Sequence, residues 1–209
     1  MRIPNAAHES RPLRIHEIVP DFTLEDVWAL PMHGGAEDFQ AGLDMLASFD
    51  PSNADALPAR ALWRFRDLLG RWLDLGSISD PVDRGAAGNL PIPGTSETSL
   101  ADRLPDDLRH TADDVDFGTL PFVPLYRTGV GGDAEFAGEV SNRTVHGVIH
   151  LAWIDQGEGS YQGHMAVYVK PRGTFGKAYM ELIKPFRYWV VYPPLMRQLE
   201  RAWAARVAG

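Results

Sequence analysis

The chain has 209 residues, with 28 acidic against 20 basic side chains, a net charge of -8 and no cysteine. That length fits one domain or at most two small ones, and it buries a sizeable core without staples. An acidic surface repels phosphate backbones and anionic membranes, so neither nucleic acid nor a membrane is an expected partner, while the missing thiols exclude disulfides, thiolate zinc sites and cysteine nucleophiles.

Residues 1–14 carry charge but no apolar run of the kind a secretory signal needs. The most apolar stretch, residues 189–196, is interrupted by Pro193 and Pro194 and falls far short of the roughly 20 residues of a membrane span. A cytoplasmic protein is the expectation. Residues 1–12 read as a flexible or loosely docked tail, and residues 13–209 as a single α+β domain.

Residues 13–30 contain two strand-like patches, LRIHEIV and DVWAL, separated by Pro20 and Asp21. A helix is predicted over 37–48, with Phe39, Leu43 and Leu46 on one face. A second is predicted over 57–75, where Leu62, Phe65, Leu69 and Trp72 form a stripe. Residues 76–96, rich in Gly, Pro, Ser and Asp, read as a long loop of the kind that forms a lid, a binding loop or a disordered segment. A short helical stretch over 100–108 is weakened by Pro105.

The C-terminal half alternates like strands in FVPLYR, EFAGEV, TVHGVIHLAWI and GHMAVYVK. DQGEG, residues 155–159, reads as a five-residue hairpin loop. The register that joins the apolar sets pairs Trp153 with Tyr161, Ile149 with Met165 and Gly147 with Val167. It puts Ile149, Leu151, Trp153, Met165 and Val167 on one face, and turns His146, His150 and His164 outward on the other. From residue 174 a long helix is predicted. Its stripe of Phe175, Tyr179, Leu182, Phe186 and Trp189 should pack on the sheet, with a kink at Pro185 and a break at Pro193 and Pro194. This order suits an antiparallel sheet packed on a kinked C-terminal helix, a helix-grip (START-like) arrangement with a cavity between the two.

DFTLEDVWALP, LPFVPLYRT, SNRTVHGVIHLAW, GHMAVYVKPRG and KPFRYWVVYPPLMRQLERAW cover most of the chain. With these strings it resembles a bacterial family catalogued as domain of unknown function 2867. The resemblance carries no catalytic residue with it.

The histidines can ligate metal or act as bases, yet His146 and His150 lie well apart on a strand and no carboxylate sits beside them at ligand spacing. Asp113, Asp114 and Asp116 fail the calcium-loop pattern, because the twelfth residue from Asp114 is Leu125. GVGGD, residues 129–133, lacks both a following helix and a Walker lysine. No metal and no cofactor is therefore expected. Lys184 and Arg187 flank the kink and offer cations to a carboxylate, either a ligand's or an internal one such as Glu139.

The leading reading is a binding module for a small apolar molecule, lined by Ile149, Leu151, Trp153, Met165, Val167, Tyr179, Phe186 and Trp189, with Arg187 as the polar anchor. Two alternatives stand beside it. One is an enzyme of cyclase, dehydratase or hydrolase type working in the same cavity, with Glu139 and the histidines as acid–base groups. The other is an accessory protein that forms a homodimer through the outer sheet face.

Overall fold

The computed structural model describes residues 1–47, 90–117, 120, 122–129 and 133–208. The helix expected over 57–75 and most of the loop expected over 76–96 lie outside the described residues. The described elements give an α+β chain built on one six-stranded antiparallel sheet. In chain order the strands are β1 (Arg2–Ile3), β2 (Thr23–Gly34), β3 (Val123–Arg127), β4 (Ala134–Ser141), β5 (Val145–Gly157) and β6 (Ser160–Pro171). Their spatial order is β1-β2-β6-β5-β4-β3.

The β5–β6 ladder continues to Gly157 opposite Ser160, so the connection is a two-residue turn at Glu158 and Gly159. Both turn residues have positive φ, 56° and 76°, which matches the right-handed twist of the flanking strands. The five-residue loop is thus corrected. The register moves by two residues: Trp153 faces Gly163, Leu151 faces Met165, and His150 faces Ala166 rather than His164. A shift of two leaves every side chain on its expected face.

Both faces of the sheet are covered. On one lie residues 1–22, with the helical turns α1 (Asn5–Glu9) and α2 (Ile15–Ile18), together with residues 90–108. Here Ile15, Ile18, Ile92 and Leu100 bury completely against Val27, Val148 and Ala166. LRIHEIV is helical at its centre, not a strand, and residues 1–12, expected as a tail, pair through β1 with Val27 and Trp28. The opposite face carries α3 (Phe39–Ala47) and the C-terminal helix, where Leu30, Phe136, Leu151 and Trp153 pack with Leu199 and Trp203.

That helix runs as α4 (Gly173–Phe186), a π-turn over Arg187–Val191 and α5 (Tyr192–Ala208). Pro193 and Pro194 do not break it. Each lacks an N–H and would crowd the carbonyl four residues back, at Trp189 and Val190. The wider winding relieves that clash, and the Tyr192 N–H reaches the Arg187 carbonyl instead.

The expected stripe does not face the sheet. Phe175, Leu182 and Trp189 are 46%, 63% and 81% exposed, whereas Gly176 and Met180 are buried. Gly176 decides this rotation. A Cβ there would stand 2.3 Å from the Thr144 carbonyl oxygen, so only glycine lets this face of the helix meet the start of β5.

Candidate functional site

Two irregularities in otherwise regular elements meet on the helix side of β2. Leu24 pairs with Tyr168 and Asp26 with Val167, so Glu25 is an extra residue in the strand. A bulge of this kind reverses the alternation. Leu24 packs against the cluster under residues 1–22, while Asp26 turns to the helix side. The π-turn does the equivalent in the helix, and π-turns often mark functional positions.

Asp26, fully buried, accepts from Arg187 Nη2 at 2.7 Å and from the Tyr192 hydroxyl at 3.1 Å. Arg187 also donates to the Tyr192 oxygen, from Nη2 at 2.6 Å and from Nε at 3.2 Å. The three side chains satisfy one another. Burial disfavours the charge on Arg187, but Tyr192 and Asp26 outweigh it and hold its pKa above the ordinary value. Burial raises the Tyr192 pKa well above the usual phenol range, with Asp26 adding to the rise and Arg187 opposing it. Beside them Lys184 bridges Glu25 at 3.2 Å and Glu181 at 3.0 Å.

An aromatic wedge covers this pair. The Trp28 ring lies 4.7 Å from Tyr192 and 6.1 Å from Tyr188, and Arg2 of β1 sits 4.9 Å over the Tyr188 ring. Within the wedge the Trp28 Nε1 and the Tyr188 hydroxyl are enclosed and have no hydrogen-bond partner among the described residues.

The chain belongs to the family described as Protein of unknown function (DUF2867), whose profile matches residues 18–194. The matched region contains Asp26, Trp28, Arg187, Tyr188 and Tyr192, that is, both sides of the wedge. No curated protein and no solved structure matches the chain at a significant level. Within this family member, Arg187 is the residue singled out from the sequence that sits at the heart of the cluster. Its partners Asp26, Trp28 and Tyr192 were not legible, because the bulge that aims Asp26 depends on strand pairing. The one available signal was an acidic residue inside an apolar strand.

The other residues expected to line a site are scattered. Leu151, Trp153 and Met165 belong to the core under α5, where Trp153 Nε1 donates to the Gly35 carbonyl at 2.8 Å. Ile149, Val167, Tyr179 and Phe186 are half-buried, the first against that core and Val167 and Tyr179 beside Met180. Trp189 points into solvent.

The histidines do not look outward. His146 and His150 are fully buried and His164 nearly so, whereas Ile149 and Val167 on the apolar face are only half-buried, which overturns the expected ordering. The reason is the layer formed by residues 1–22 and 90–108, which closes over the histidine face. Two glutamates of β4 make that burial tolerable. Glu135 accepts from His150 Nε2 at 3.0 Å, from Tyr126 at 3.0 Å, and from the backbone N–H groups of Arg14 and Ile15 at 2.8 and 3.2 Å. Glu139 accepts from His146 Nε2 at 2.7 Å, from the Leu100 N–H at 3.1 Å and from the Ser99 hydroxyl. Burial opposes the Glu135 charge, yet the His150, Arg14 and Tyr126 bonds prevail and its pKa lies below the ordinary value. Each glutamate thus staples the covering layer to the sheet, with a histidine as its sheet-side donor. Among the described residues, no group of three or more His, Asp or Glu is arranged to hold a metal, and no helix is long and apolar enough to cross a membrane.

Proposed function

We propose that this family member binds a small apolar molecule bearing one hydrogen-bond acceptor, seated between β2 and the C-terminal helix at the Trp28–Tyr188–Tyr192 wedge. The observation that carries the reading is the pair of enclosed donors, Trp28 Nε1 and the Tyr188 hydroxyl, without partners among the described residues where Asp26, Arg187 and Tyr192 are mutually satisfied. Buried donors are seldom left unpaired, and a group that accepts from both would restore what burial costs them. Ile149, Val167, Tyr179 and Phe186 would extend the apolar wall. Arg187, already neutralised by Asp26, would act as a fixed dipole rather than a free cation. Trp189, exposed as it is, lies outside this reading. The sheet and helix then form a helix-grip pair, a proposal supported by the packing of α5 on β2.

The test is calorimetric titration of the full chain with decanoate, checked by its displacement of anilinonaphthalene sulfonate, a probe with an apolar body and one acceptor group. One saturable site is expected. Trp28→Phe and Tyr188→Phe should each weaken it by about tenfold, the worth of one hydrogen bond to a charged acceptor. No saturable binding, or binding indifferent to both substitutions, would sink the reading.

A further inference from the structure

Residues 1–3 pair along the edge of β2, and residues 4–11 lie across the histidine face. β1 contributes two strand pairs, Met1 exchanges two backbone hydrogen bonds with Ala29 at 3.1 and 2.8 Å, Ile3 packs half-buried at the edge of the core, Asn5 Nδ2 donates to the Leu24 carbonyl at 2.7 Å, and Arg11 bridges Asp133 at 3.4 Å. His8 is the only side chain of residues 1–11 that is buried, and it is 1% exposed. Its Nε2 lies 3.0 Å from the Tyr168 hydroxyl, and its Nδ1 has no partner among the described residues. The one fully buried anchor of this strap is therefore a titratable ring.

The groups around that ring come from every neighbouring element. His16 of α2 stands 5.5 Å away and His150 of β5 5.4 Å, centroid to centroid. His164 of β6 and Arg11 add positive or potentially positive charge. Tyr168 is a neutral phenol, with Glu9 and Glu135 in its surroundings. Glu135, the partner of His150, is already committed to Arg14, Ile15, Tyr126 and His150. A proton added to His8 would make both ring nitrogens donors with no acceptor left for the second.

We propose that residues 1–11 are an acid-releasable strap, with His8 as the plug that holds them on the sheet at neutral pH and ejects them when it takes up a proton. The plug works only if the docked ring resists protonation, and it does. Burial first, then His150, His16, His164 and Arg11, lower the His8 pKa from 6.5 to about 3. The docked state thus binds fewer protons than the released one. Docking is fully favoured above pH 6.5 and weakens by about tenfold for each unit below it, until the docked ring itself titrates near 3. His164 works in the same direction. Burial, Arg11 and the Met1 ammonium lower its pKa to about 4 against the pull of Asp133, and Arg11 and the ammonium belong to the strap. Release would also lift Arg2 from the Tyr188 ring and β1 from Trp28. That consequence matters only if the wedge binds a ligand; the strap itself does not depend on that reading.

The test is amide hydrogen exchange on the full chain at pH 7.5, 5.5 and 4.5, corrected for intrinsic rates. The opening constant of residues 1–11 should rise by about tenfold at pH 5.5 and about 100-fold at pH 4.5, with β5 and β6 still protected. His8→Gln should cut this slope to the smaller part that His164 contributes. A wild-type strap whose opening ignores pH overturns the proposal, as does loss of protection in β5 and β6 at the same pH, or a His8→Gln chain that keeps the full wild-type slope. Should His8→Gln leave the strap open at every pH, the wild-type imidazole decides by NMR. A His8 ring that titrates near 6.5 while the strap stays docked overturns the proposal, and one that stays neutral until the strap opens supports it.

Discussion

Substituting Asp26 by asparagine would test the cluster at the centre of the helix side. The carboxylate is wholly buried, and it is the only ion-pair partner of Arg187 among the described residues, at 2.7 Å. Asparagine keeps the shape and an acceptor for the Tyr192 hydroxyl but removes the charge. The guanidinium, whose side chain is 12% exposed, is then left with the Tyr192 oxygen alone. Removing one partner of a buried pair costs about 3–5 kcal/mol, because the remaining charge stays desolvated. Tm should fall by about 6–20 °C for a chain of this size. Asp26→Asn combined with Arg187→Met should recover most of the loss, since replacing both charges by neutral or apolar groups is often close to neutral. Urea unfolding of the wild type, both single variants and the double variant measures the coupling, which should exceed about 2 kcal/mol. A loss below about 1 kcal/mol for Asp26→Asn, or additive single losses, would refute the claim that Arg187 is held by Asp26.

Three further outcomes follow from the packing. Gly176→Ala should destabilise by about 1–3 kcal/mol by driving a methyl against the Thr144 carbonyl, although the same change in an open helix gains about 1 kcal/mol, so the sign of the change in urea midpoint is diagnostic. Leu182→Gln should move the Tm by no more than the equivalent of about 0.5 kcal/mol, because the side chain is 63% exposed, whereas a sheet-facing Leu182 would cost several times that. Glu135→Ala should cost about 3 kcal/mol or more in the same assay, since it leaves the Arg14 and Ile15 N–H groups, the Tyr126 hydroxyl and His150 without their acceptor.

The sequence by itself determined strands β2 to β6, that β5 pairs with β6, which of their side chains share a face, and membership of the family. These are consequences of period-two alternation, turn chemistry and extended specific strings, all local in the chain. It also singled out Arg187 beside a proline in a long helix. The tertiary structure alone decided what each face meets. Alternation says that His146, His150 and His164 point the same way, but not that residues 1–22 return to cover them, or that Glu135 and Glu139 supply the acceptors that make their burial tolerable. The helix stripe was misjudged for a related reason. Apolarity places Phe175, Leu182 and Trp189 on one side, yet the rotation is set by how closely two backbones approach, and Gly176 permits an approach that no larger side chain allows. The bulge at Glu25 and the π-turn over Arg187–Val191 each insert one residue into a regular repeat, turning Asp26 toward Arg187. An inserted residue changes every later direction in its element, and only pairing with a partner shows where the insertion falls.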